Sequence, residues 1–477
     1  MSNVPVLGSF IGGAFVAPHE AGLQSVNPSD VSDIVAEIGP GSSEEVAAAC
    51  SAATDAQTSW QRLAGPARAD HLMRWADSIQ NRAEELAQMV CREVGKPIGE
   101  ARGEVGRCSM ILRYFAGEAV REIGEVIPAQ APGTLQFSLR QALGVVGLIT
   151  PWNFPVAIPL WKAAPALAFG NTVVLKPSEM SPACANILAQ TAQEAGLPAG
   201  VFNVVQGAGQ VGESLCLNSV VRAISFTGSA RVGKIIARLA ADRNIKFQTE
   251  MGGKNVAIIL DDANIALAAN LVAAGAMRFA GQKCTATSRA IVVRSQLDAF
   301  VAALRTQVEG LMIGPVTDPA SAIGPVISSA SQQRIVGVIE GAEPVLKTQV
   351  PDDLRAGTFV PPTIVLDVSP SSTLAQNEIF GPVLAVMVAD DLDHALELAN
   401  GTEYGLSASL FTSDLKRALT YIDRIEAGMV RVNGDTTGVD PHAPFGGVKG
   451  SSSGSREQGP AAKEFYTEIK TVQINPG

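Results

Sequence analysis

Between residues 143 and 260 short apolar runs alternate with alanine-rich helical stretches, and this alternation constrains the fold more than any other feature of the chain. The apolar runs cover residues 145–150, 172–176, 201–206, 223–227 and 256–260. A strand that is apolar along its whole length must be covered on both faces. Strands of that kind joined by helices predict a parallel sheet of the doubly wound type, with its ligand crevice at the carboxyl ends of the strands. A second alternating set runs from residue 263 to about 429, with strands near 290–293 and 383–388. At 477 residues the chain exceeds one ordinary core, so two α/β units are expected.

Two further segments belong to neither set. Residues 133–141 alternate Leu135, Phe137 and Leu139 on one face, and residues 468–474 read as an edge strand. Residues 42–122 are helical in pattern, opening on Ser42-Ser43-Glu44-Glu45 as a capping signal.

Hydrophobic residues make up 47% of the chain and charged residues 17%, a globular composition. The net charge of −10 argues against a nucleic-acid partner. The six cysteines form no C-x-x-C pair and the four histidines are scattered, which predicts neither a metal site nor a disulfide framework. The chain opens Met-Ser-Asn-Val-Pro without a basic-then-apolar leader, and no run has the length of a membrane span. Cytoplasmic location, no membrane partner and a free thiol are the expectations.

Three motifs carry chemistry. Cys284 sits in Gly281-Gln-Lys-Cys-Thr-Ala-Thr287, among polar and small neighbours unlike those of a core cysteine, and Lys283 is placed to support a thiolate. Glu250 opens Glu-Met-Gly-Gly-Lys-Asn255, a carboxylate next to a turn that lets backbone approach a ligand. Asn153 lies in Pro151-Trp-Asn-Phe-Pro155, where an amide can donate to an oxyanion. A thiol, a carboxylate and an amide are what oxidising an aldehyde through a thioester requires. Residues 207–212 spell G-x-G-x-x-G after a strand, but the acidic residue expected some 20 positions later is missing.

These motifs together resemble the aldehyde dehydrogenase superfamily over nearly the whole chain. The resemblance implies two Rossmann-like domains and a small β oligomerisation arm. It assigns residues 1–125 and 146–252 to the cofactor domain and 253–430 to the catalytic domain. Residues 126–145 and 460–477 become the arm, and 431–459 a loop at the substrate mouth. It makes Cys284 the nucleophile, Glu250 the base that activates water, and Asn153 an oxyanion donor together with the Cys284 amide.

For the cofactor the resemblance implies Thr150, Pro151, Trp152, Lys176, Ser178, Glu179, Gly209, Phe226, Thr227, Gly228, Ser229, Val232, Gly252, Glu378 and Phe380. The pyrophosphate falls at the helix opening after Ser229 rather than at the G-x-G-x-x-G run. Lys176 and Glu179 fall on the adenosine ribose, which favours NAD, with NADP retained as a second cofactor. Phe154, Trp161, Lys283, Thr285 and Phe445 line the substrate side, with Arg107 on a channel-facing helix. Such a cation suits an anionic aldehyde.

The motifs around Cys284, Pro444-Phe-Gly-Gly and Ser451–Gly459 are similar to those of the bacterial branch acting on 2,5-dioxopentanoate. Succinate semialdehyde and aromatic aldehydes are the rival substrates, and the family implies a homodimer or homotetramer. Two other readings remain: a non-catalytic protein of the same fold, and an alcohol dehydrogenase using residues 207–212.

Overall fold

The computed structural model describes residues 4–18 and 22–476. Two large sheets form its framework. In the first, five parallel strands run in the order Lys246–Glu250, Val221–Thr227, Val145–Ile149, Thr172–Lys176 and Phe202–Val204. The chain starts at Val145–Ile149, fills one side, then crosses to the other. The strand order therefore reverses between Val145–Ile149 and Val221–Thr227, and a crevice opens there at the carboxyl ends. Phe10–Ile11 and Ala14–Phe15 extend the far edge, and Ser452–Gly454 pairs antiparallel with Lys246–Glu250 on the near one. Residues 431–459 thus contribute strands as well as loop, including Val448–Lys449, because Ser452 must lie opposite Glu250 in register.

The second sheet has seven strands, with Val256–Ile259 between Arg289–Val293 and Ser407–Phe411. Six are parallel and only the edge strand Pro344–Lys347 is reversed. The strands expected from their apolar runs appear within a residue or two of the expected bounds at most ends, except that residues 201–206 give only Phe202–Val204. Lys246–Glu250 was not expected, because Lys246-Phe-Gln-Thr-Glu250 lacks a continuous apolar run. It forms because its neighbour in the sheet supplies the burial that its sequence does not advertise.

Four helices, Ser43–Arg62, Gly65–Asn81, Ala83–Val94 and Ile98–Glu118, fill the helical region. Ser42 and Glu45 form the reciprocal capping box at its start. Two of these helices send buried glutamates to cap others. Glu93 accepts from the Ala183 and Cys184 amides at 2.8 Å each, and Glu104 from those of Val156 and Ala157 at 3.0 Å each. A carboxylate on free helix-start amides satisfies donors and meets the positive end of the helix dipole.

The third sheet is antiparallel: Thr467–Ile474 pairs along its length with Leu135–Ala142, and Val126–Ile127 covers the other side. Asn171 fastens it to the first unit. Its buried side chain accepts from the Leu143 and Gly144 amides (2.7 and 3.1 Å) and donates to the Ala166 and Tyr466 carbonyls (3.0 and 2.9 Å). Asn171→Ala leaves all four backbone groups without these partners. Urea unfolding is expected to show a loss of about 3 kcal/mol or more, whereas a loss under about 0.5 kcal/mol, the range of an ordinary surface change, would mean that water replaces the side chain.

Candidate active site

The two large sheets meet at opposite ends of their strands. The first presents its carboxyl edge, with Thr150, Pro151 and Trp152 after Val145–Ile149 and Gly228 and Ser229 after Val221–Thr227. The second presents its amino edge: Asn255 precedes Val256, Cys284 lies ahead of Arg289, and Glu378 and Phe380 precede Val383. Cys284 is common to two cavities at this junction. One, of about 650 Å3, is lined by Trp152, Asn153, Gly228, Gly252, Glu378 and Phe380, among others. The other, of about 560 Å3, is lined by Arg107, Phe154, Trp161, Thr285, Phe445 and Glu457, among others.

The backbone ahead of Cys284 is bent sharply. Phe279, Ala280 and Gly281 all have left-handed φ, at 53°, 50° and 66°. Two consecutive non-glycine residues there are costly and persist only where surroundings hold them. Gln282 does the holding. Its side-chain amide donates to the Pro325 carbonyl at 3.1 Å and its oxygen accepts from the Ile327 amide at 2.9 Å. Downstream, Asn255 donates to the Cys284 and Ala286 carbonyls at 2.8 Å each and accepts from the Ser407 amide at 3.0 Å. From the first unit, the Asn153 amide donates to the Gln282 carbonyl at 3.0 Å, while its own buried carbonyl oxygen has no partner. One N–H of that amide remains for a ligand. Lys96 donates to the Asn153 backbone carbonyl at 2.7 Å and pairs with Glu104, so the Asn153 turn is itself anchored.

Burial pushes the Cys284 thiol up to about 12, and the Glu378 and Glu250 carboxylates add to the rise. The Thr285 and Cys284 amides pull the other way. Lys283 does not support the thiolate. Its ammonium pairs with Glu100 at 2.8 Å instead.

Glu250 ends its strand with 2% of its surface exposed. One oxygen accepts from Ser452 Oγ at 2.5 Å and the other has no partner. Burial holds its carboxyl well above the usual range, and the negative charge of Glu457 reinforces this, against Ser452, Lys162 and Arg456. Lys162 and Glu457 form a buried ion pair beside it, joined by Ser225, to which Lys162 donates at 2.9 Å. Sequence reasoning did not assign this pair a role. Its signal was a lysine in the otherwise apolar run Leu160-Trp-Lys-Ala-Ala164.

The first cavity fits a dinucleotide. Gly252 lies so close to Glu378 that any Cβ would collide with the carboxylate. The Thr150 hydroxyl is buried without a partner. The helix Ala230–Asp242 opens there, Ser229 capping the Val232 amide at 3.4 Å. Glu378 accepts from the Gly253 amide at 3.1 Å, and burial raises its carboxyl to about 7. Trp152 and Phe380 meet edge to face at 5.7 Å. One strand further along the same edge, Lys176 pairs with Glu179 at 3.0 Å, and Ser178 caps the Met180 amide. Burial would raise the Glu179 carboxyl, but Lys176 beside it holds it below the ordinary value. Gly209 opens its own helix, Gly209–Leu217, away from the lining of either cavity.

Beyond the second cavity lies an outer vestibule that also contains Arg107, Arg278, Lys283, Glu100, Glu104 and Asp435. Each carboxylate there is engaged: Glu100 with Lys283, Glu104 with Lys96, and Asp435 with the Thr437 and Gly438 amides at 2.8 and 3.1 Å. Arg107 has no hydrogen-bond or ion-pair partner among the described residues and lines both spaces.

A thiol, a partnered carboxyl and an oxyanion donor between a dinucleotide crevice and a separate tunnel define a class of enzyme, and the comparisons agree. The aldehyde dehydrogenase family profile matches residues 15–472, and the chain belongs to that family. It is 46% identical over 478 residues to the alpha-ketoglutaric semialdehyde dehydrogenase of Bacillus subtilis, covering 98% of each chain. It is 42% identical to the alpha-ketoglutarate semialdehyde dehydrogenase of Haloferax volcanii, covering 97% of this chain and 98% of that protein. A solved Sinorhizobium meliloti structure, a putative methylmalonate-semialdehyde dehydrogenase complexed with NAD, superposes with a TM-score of 0.96 at 33% identity, covering 100% and 99%.

Among the described residues no cluster of three or more His, Cys, Asp or Glu could hold a metal ion, and no helix is long and apolar enough to cross a membrane.

The raised Glu250 carboxyl has a consequence for stability. A carboxyl that holds its proton more tightly folded than unfolded makes the folded state the better proton binder, so stability falls as pH rises above the ordinary glutamate value of 4.5. Glu250→Gln removes that loss. The variant should gain in melting temperature relative to the parent as pH rises above 4.5; a difference independent of pH would mean that burial does not shift Glu250.

Proposed function

We propose that this protein oxidises 2,5-dioxopentanoate, a short anionic semialdehyde, to the dicarboxylic acid, with NAD favoured over NADP. The observation that carries the reading is Arg107: a guanidinium with no partner among the described residues, lining both the vestibule and the tunnel to Cys284, where Glu100 and Glu104 are already paired with Lys283 and Lys96. An anionic substrate tail supplies a partner for that guanidinium. The names of the relatives at 46% and 42% identity point to the same substrate. The Glu179 carboxylate at the ribose end of the crevice would repel a 2′-phosphate, which supports the lean to NAD.

The mechanism follows from the chain's own groups. Cys284 gives its thiol proton to solvent water and attacks the aldehyde carbon as thiolate, and the resulting oxyanion lies against the free N–H of Asn153 and the Cys284 amide. When bound, the dinucleotide supplies an oxidised nicotinamide ring that accepts the hydride, leaving the acyl group on sulfur as a thioester. Glu250 then takes a proton from water, which attacks the thioester and frees the acid. The Lys162–Glu457 pair beside Glu250 holds the charge balance while that proton arrives and leaves. The strained turn at Phe279–Gly281, clamped by Gln282 and Asn255, keeps the sulfur and its amide in place through both steps.

Initial rates on 2,5-dioxopentanoate, succinate semialdehyde, benzaldehyde and a neutral aliphatic aldehyde, each with NAD and NADP, test this. The dioxo acid with NAD should give the highest kcat/KM. Arg107→Met should lower it by about one to two decades, mostly through KM, and spare the neutral aldehyde. Equal losses on both would make Arg107 structural.

The reading extends to a homodimer or homotetramer. Thr467–Ile474 is an edge strand with Ile469 and Ile474 exposed, and Met429–Val432 is an edge of the second sheet. Edges of this kind pair with another chain unless blunted. Light scattering at micromolar concentration should give at least twice the monomer mass, and a monomer would remove the proposed arm contact.

A further inference from the structure

Trp161 lies on the same helix face as Ala157 and Ile158, and all three line the tunnel to Cys284. Its ring meets Phe445 edge to face at 5.2 Å, so it is held in place. Only 8% of the residue is exposed, yet its indole N–H has no hydrogen-bond partner. A buried indole N–H nearly always finds an acceptor, and one without a partner calls for an explanation. Lys162, the next residue, is fully engaged with Glu457 and Ser225 and offers nothing to it.

The other polar groups of the tunnel are different in kind. The Thr285 and Thr437 hydroxyls can donate or accept, and Glu457 is already paired. Trp161 is a donor only, in the lining that also holds Arg107 and Cys284.

We infer that the Trp161 indole N–H donates to the 2-oxo group of the substrate while Arg107 holds the adjacent carboxylate, so that the tunnel selects 2-oxo semialdehydes over plain semialdehydes of the same length. The inference rests on the substrate class proposed above. A 2-oxo acid carries one more acceptor beside its carboxylate, and the Trp161 N–H is a buried donor without a partner on the helix that lines the tunnel. A site built to hydrogen-bond a group discriminates strongly against the analogue lacking it, because its own polar atom is then buried and unpaired.

The test compares 2,5-dioxopentanoate with 5-oxopentanoate, which has the same length and carboxylate but no 2-oxo group, on the parent and on Trp161→Phe. The parent should favour the dioxo acid by about tenfold or more in kcat/KM. Trp161→Phe keeps an aromatic ring but removes the donor. It should lose most of that preference, read as the ratio of kcat/KM for the two acids, with folding checked separately by circular dichroism and melting. A parent that prefers both acids to a neutral aldehyde but treats the two alike overturns this inference and leaves the proposed function standing. Equal losses on both acids in Trp161→Phe also overturn it, by making the ring a packing element. A parent that ignores both acids overturns the proposed function and this inference together.

Discussion

The hydrogen bond from the Asn153 side chain to the Gln282 carbonyl ties the two halves of the active site together. Asn153 belongs to the unit that forms the dinucleotide crevice, and Gln282 to the loop that carries the sulfur. Without a fixed relation between them, the nucleophile and the oxyanion donor would belong to two independently moving bodies, and small misplacements at a reacting centre cost orders of magnitude in rate. The surrounding structure reinforces this contact. Lys96 and Glu104 hold the Asn153 backbone from one side, while Gln282 and Asn255 hold the nucleophile loop from the other.

That clamp sustains unfavourable local states. Phe279 and Ala280 stand in the left-handed region, the thiol is buried beyond ordinary ionisation, and Glu250 is held against losing its proton. Each is costly alone. Together they describe a site whose burial disfavours charge on both the thiol and the carboxyl.

The two sheets also use opposite ends of their strands. In the first, the crevice at the carboxyl edge lies where the order reverses, as open parallel sheets generally arrange it. In the second, the functional residues sit before the strands: Asn255 before Val256, Cys284 before Arg289 and Phe380 before Val383. Placing a carboxyl edge against an amino edge puts the crevice and Cys284 on separate scaffolds, with residues of Ile98–Glu118 and of 431–459 in the tunnel walls.

Continuous apolar runs alternating with alanine-rich helices determined the parallel sheets, because no other arrangement buries both faces of such strands. The motifs around Cys284, Glu250 and Asn153 made the family legible by resemblance, and the family profile over residues 15–472 bears that out. The sequence did not reveal Lys246–Glu250 as a strand, since its burial comes from neighbours distant in the chain. Nor did it reveal that Lys283 pairs with Glu100, that Lys162 and Glu457 meet beside Glu250, or that the Trp161 N–H lacks a partner. These depend on which charges and donors are satisfied by residues 183, 295 or more positions away, and only the tertiary structure decides that.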